Sequence, residues 1–201
     1  MARPRTCPDS ALLAAARAVL VECGPSASLR TIAARTHLTP AALLARFGCR
    51  EALVRAALTP PSLAPALAPM LLDPEPGRLG AQLQAILAAL GAWYAEAIPR
   101  ALIAHALDPG RSSWEGHAPV EGEPRLHHTL AIWLARAQAV GGLSPVDSHA
   151  QAAVVLAALQ GQAVARALGD PAGAGVEVEA ALLALVLAPG ARPQGPAGTR
   201  R

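Results

Sequence analysis

Between residues 11 and 58 the chain starts and stops a helix four times, and each boundary is marked by residues whose chemistry suits it. Leu12, Ala16, Val19, Leu20 and Cys23 recur at helical spacing, Pro8-Asp9-Ser10 offers caps, and Gly24 before Pro25 supplies a left-handed stop. Ser28 can cap a short second helix over 29–35 with Ile32 and Ala33 inward, and Thr36-His37-Leu38 is then the turn. Thr39 suits an N-cap and Pro40 a first helical position, where no amide partner is needed, so a third helix ends near Phe47-Gly48. A fourth begins around Cys49-Arg50-Glu51, carries Leu53, Val54, Ala57 and Leu58, and is interrupted by Thr59-Pro60-Pro61. Two short helices joined by a tight turn and braced by another form a helix-turn-helix, whose second helix enters the major groove of DNA. Here that helix is 40–47.

Composition agrees with a helical chain. The sequence is 53% hydrophobic but only 2% aromatic, dominated by Ala and Leu with few β-branched runs, which disfavours sheet. Charge is unevenly placed: residues 1–58 hold eight Arg against Asp9, Glu22 and Glu51, a balance of +5, and the remainder holds nine Arg against eleven acids, or −2. A positive end is what a phosphate partner requires. Cys7, Cys23 and Cys49 have neither paired spacing nor an even count, so neither a disulfide framework nor a zinc site is indicated. With no apolar run behind Met-Ala-Arg-Pro-Arg and no uninterrupted apolar stretch of spanning length, the expectation is a cytoplasmic protein without a membrane segment.

Residues 59–77 contain six prolines and read as a junction, with 67–72 able to form a helical turn. Beyond it, helical patterns cover 78–98, 99–107 as a continuation or kinked partner, 124–140, 144–168 and 176–187. The expected organisation is all-α: an N-terminal helix-turn-helix domain over 1–58, the junction, and a larger helical ligand-binding and dimerisation domain over 78–190. The segment 108–122 reads as a polar surface loop and 191–201 as a disordered tail.

In its order of features the run from Leu12 to Leu58 resembles the N-terminal module of TetR-family transcriptional regulators. The resemblance is carried by the helix ending at Gly24, Ser28-Leu29-Arg30, Ile32-Ala33, Leu38-Thr39, Leu43, Phe47 and Arg50-Glu51-Ala52-Leu53. It implies that Ser28 and the start of its helix contact phosphate, that Thr39, Pro40, Ala41, Ala42 and Ala45 face base edges, and that Arg50 grips the backbone. Arg30, Leu44 and Arg46 complete the expected DNA surface. Three positions depart from the family: His37 stands where Gly is usual, Leu44 where a phosphate-binding Tyr is usual, and Arg50 where Lys is common. Few polar side chains are left for direct readout, so specificity would lean on Arg46, methyl groups and DNA shape.

The same resemblance implies a homodimer through 144–168 and 176–187, with Ala152, Val155, Leu156, Leu159, Gly161 and Ala163 as a close-approach stripe, on a palindromic operator. It also implies a small, largely apolar effector between 78–107 and 124–140, near Trp93, Tyr94, His105, His128 and Trp133, and the role of a repressor without cofactor or catalysis. Two alternatives stand beside it: a helical bundle with no nucleic-acid partner, and a dimeric sensor whose DNA module has decayed. His127 and His128 point about 100° apart on a helix, which disfavours a metal site with His105 or His117. No nucleophile or phosphate loop accompanies His105, His127, Glu96 or Asp108 to suggest an enzyme.

Overall fold

The computed structural model describes residues 7–108, 122–141, 143, 145–170 and 177–187. Helices α1 (Asp9–Cys23), α2 (Leu29–Thr36), α3 (Pro40–Phe47) and α4 (Arg50–Ala57) follow the punctuation of the sequence. The last three have eight residues each, too few to persist alone in water. A shared core holds them: Ala16, Val19, Leu20, Ile32, Leu43, Leu53, Val54 and Ala57 are all buried, with Leu13, Leu29, Leu38 and Phe47 packed at its edge.

The N-caps of α2 and α3 are where residue chemistry put them, and both ends of α1 depart from expectation. Ser28 accepts from the Thr31 amide and Thr39 from the Ala42 amide, each at 3.1 Å. At α1 the N-cap is Pro8, which has no side chain able to accept, and Asp9 instead sits in the first turn. Gly24 lies at φ 78°, ψ −176°, a region open to glycine alone, rather than in the left-handed helical stop expected. That stop appears at His37 (φ 56°, ψ 27°): the His37 amide donates to Ala34 O (3.4 Å) and the Leu38 amide to Ala33 O (3.1 Å), the paired bonds of a Schellman motif.

Two compact units result, and they do not divide the chain at the expected junction. The first joins the described residues up to Pro61 to Glu96–Asp108, because Ile103 packs in the N-terminal core and Arg100 donates to Thr59 O at 3.1 Å. The proline-rich stretch is not a plain linker. It forms α5 (Ala64–Leu67) and a 3₁₀ turn (Ala68–Leu71) whose Ala66, Leu67 and Met70 are buried in the second unit.

One helix, α6 (Leu79–Leu107), runs unbroken through Pro99, whose ring nitrogen has no hydrogen to give the carbonyl one turn earlier. By length and composition alone α6 could cross a bilayer; half of its most apolar window is buried in the structure. The second unit is completed by α7 (Glu123–Ala139), α8 (Ser148–Ala167) and α9 (Val178–Val186), with α8 packed on both α7 and α9. Asp147 caps α8, accepting from the His149 and Ala150 amides, which moves the helix start four residues past the expected position. Among the described residues there is no strand, only an isolated Leu143–Leu187 bridge. Of the loop expected over 108–122, all but its two end residues lies outside the described residues, as does the tail over 191–201.

Candidate nucleic-acid interface

The core consumes only one side of α3. Leu43 is buried and Phe47 half-buried, while Pro40, Ala41, Ala42, Leu44, Ala45 and Arg46 are all exposed. The face assigned to DNA is therefore free of internal packing, and its chemistry is methyl groups and a single guanidinium. At its head the Thr39 hydroxyl accepts from an amide and keeps its own hydrogen to donate. At the head of α2 the hydroxyls of Ser28 and Thr31 lie 2.8 Å apart on the surface.

The three arginines expected at DNA are placed very differently. Arg30 is exposed, with no partner for its guanidinium among the described residues. Arg46 is occupied: Nη1 donates to Cys7 O at 2.7 Å and Nε pairs with Asp9. Arg50 is half-buried and donates through Nη2 to Pro25 O and Ala27 O, both at 2.9 Å, so it laces the α1–α2 turn to the head of α4. Beside it, Glu51 is held below the ordinary carboxylate range by a bond from its own amide, then by Cys49 and Arg50. Sequence reasoning placed Arg46 and Arg50 on the right elements but could not see these partners, which lie 37 to 39 and 23 to 25 residues away.

The five residues expected to line an effector site divide between the two units. Trp93, Tyr94 and Trp133 are buried in the second unit, His128 is exposed there, and His105 belongs to the first unit. Trp93 and Tyr94 meet edge to face, with ring centroids 5.1 Å apart. The Tyr94 hydroxyl donates to Glu123 Oε1 at 2.8 Å. Burial, with the Glu123 charge beside it, holds the Tyr94 hydroxyl far above its ordinary range, and burial likewise raises Glu123. Glu123 Oε2 and Trp133 Nε1 are buried and without a partner among the described residues. Glu123 was missed because an acid in the first turn of a helix reads as a solvated partner of the helix dipole.

Residues 12–57 match the family profile described as bacterial regulatory proteins, tetR family. The match makes the N-terminal segment similar to the DNA-binding module of that family. Solved structures share the fold. A TetR-like transcriptional regulator from Rhodococcus sp. RHA1 is 20% identical, with a TM-score of 0.57 over 92% of this chain and 96% of that one. A TetR transcriptional regulator from Streptomyces coelicolor is 24% identical, with a TM-score of 0.53 over 89% and 95%. Salmonella enterica GusR is 22% identical, with a TM-score of 0.54 over 91% and 96%. No curated protein matches the sequence. The likeness of fold thus covers about nine-tenths of the chain, well beyond the segment that carries the sequence signature.

Proposed function

We propose that this chain is a TetR-family regulator that binds operator DNA as a dimer and acts as a repressor released or tightened by a small molecule. The observation that carries the reading is the outward face of α3, six consecutive-turn positions left exposed by a helix whose inward side is fully used. Beside it stand two hydroxyl-capped helix N-termini, which present amides to phosphate, and the unengaged cation of Arg30. In a two-fold dimer, the two α3 helices would read half-sites about 34–36 Å apart.

The dimer surface shifts from the one expected. Ala152, Val155, Leu156, Leu159 and Ala163 of α8 are at most 6% exposed within a single chain, so they are internal core; Gly161 alone of that stripe is exposed. Apolar side chains that do face outward are Val154 on α8, Leu168 at its C-terminal end and Leu185 on α9, each more than half exposed. A partner copy would sit on these.

Selection from random duplexes, followed by a salt titration, tests the reading. The expected product is an inverted repeat whose affinity falls steeply with salt and drops further in Arg30→Ala and Thr39→Ala. A second reading, a sensor with a decayed DNA module, is favoured by the internal engagement of Arg46 and Arg50. Absence of salt-dependent duplex binding would establish it over the first.

A further inference from the structure

A cavity of about 480 Å³ lies inside the N-terminal unit, between one stripe of α4 and the last turn of α6. Small-molecule sites typically span ~300–1,000 Å³. The α4 stripe supplies Arg50, Val54, Arg55 and Leu58, spaced so that they share one side of the helix, and α6 supplies Ala104 and Leu107. The wall is largely apolar, with the guanidiniums of Arg50 and Arg55 and the carboxylates of Glu51 and Asp108 set in it.

The charges on that wall differ in what they already do. Glu51 is an exposed carboxylate at the solvent edge of the wall, and Asp108 has an interaction of its own. Arg55 is exposed, and its guanidinium has no hydrogen bond or ion pair among the described residues. A guanidinium beside an apolar wall matches a carboxylate carried on an apolar body, since Arg binds carboxylates in a bidentate fork. The geometry points to this cavity as a binding site for a small amphipathic carboxylate, its alkyl or aryl body against Val54, Leu58, Ala104 and Leu107 and its charge on Arg55.

Arg50 connects the site to the proposed DNA surface. It lines the cavity and also holds the carbonyls of Pro25 and Ala27, immediately before the Ser28 cap of α2. A carboxylate seated on Arg55 that also takes a bond from the neighbouring Arg50 draws Arg50 off those carbonyls and releases the turn that presents Ser28, so occupancy and DNA affinity become linked. This link rests on the proposed DNA function; occupancy of the cavity does not.

Calorimetric titration of the full chain without DNA, using octanoate, octanol and octylammonium, tests occupancy. Octanoate should bind saturably at one site, about tenfold more weakly in Arg55→Gln, and not at all in Ala104→Trp, whose exposed position lets an indole fill the cavity without entering the core. Circular dichroism verifies that both variants keep the wild-type helix content. Octanoate binding that survives Ala104→Trp, or octanol or octylammonium binding as tightly as octanoate, overturns the site. Repeating the titration against the selected duplex separates the two readings. Octanoate binding that leaves duplex affinity unchanged overturns the link through Arg50, whereas a chain that binds octanoate but no duplex refutes the DNA function and leaves the site standing.

Discussion

Replacing His37 with glycine should stabilise the N-terminal unit, although it removes a side chain. His37 is the one non-glycine residue with positive φ among the described residues, and it holds the Schellman turn between α2 and α3 at φ 56°, ψ 27°. An L residue in that conformation costs ~1–2 kcal/mol because Cβ crowds the following carbonyl. Glycine removes that cost but loses ~0.5–1 kcal/mol more conformational entropy on folding. The His37 side chain is exposed and makes no hydrogen bond among the described residues, so its loss subtracts little. The net gain is ~0.5–1 kcal/mol, which for a chain of this length corresponds to a rise in melting temperature of ~1–4 °C. His37→Ala is the control, since it deletes the imidazole and keeps the Cβ. Urea and thermal unfolding followed by circular dichroism should rank Gly above Ala and wild type, with the latter two within ~0.5 kcal/mol. A glycine variant no more stable than the alanine variant would refute the assignment of strain to this turn.

Three further outcomes follow from the site geometry. Asp9→Asn frees Arg46 from its ion pair, so duplex affinity should rise and the salt dependence should steepen by about 0.9 in log–log slope, the signature of one more phosphate neutralised; gel shifts at several salt concentrations measure both. Arg50→Ala removes two charged hydrogen bonds that hold the α1–α2 turn, and should cost ~1–3 kcal/mol by urea unfolding even without DNA; a cost near zero would show that the lacing is idle. Burial raises Glu123 above its ordinary value of 4.5, so the folded chain holds this proton more tightly than the unfolded chain. Its contribution to stability is therefore complete below that ordinary value and lost as pH rises through the raised folded value. Glu123→Gln should flatten this part of the stability profile, read from urea midpoints across the acid-to-neutral range; a fall that persists unchanged would assign it to another group.

How much of this was legible beforehand depended on the range of the interaction. The hydroxyl caps at Ser28 and Thr39, the proline at the head of α3 and the His37 turn all act within about one helical turn, so residue type and spacing specified them. The inward position of Leu43 also followed from helical period alone. By contrast, apolar residues look alike whether they face their own core or a partner copy. Only packing on α7 and α9 decided that Ala152, Val155, Leu156, Leu159 and Ala163 are internal and that Val154 and Leu185 face out.

Charged groups divide in the same way. The excess of Arg near the N-terminus is a property of the sequence, and it pointed to phosphate as a whole-domain preference. Which arginine is free is not, because the partners of Arg46 and Arg50 come from distant turns, and Tyr94 meets Glu123 across 29 residues. The sequence by itself determined four short helices that must pack together and the face of α3 left outside. Tertiary structure alone decided which cations are already engaged, where a buried carboxylate lies and where a cavity opens beside Arg55, because each depends on distances between chain segments that no local rule contains.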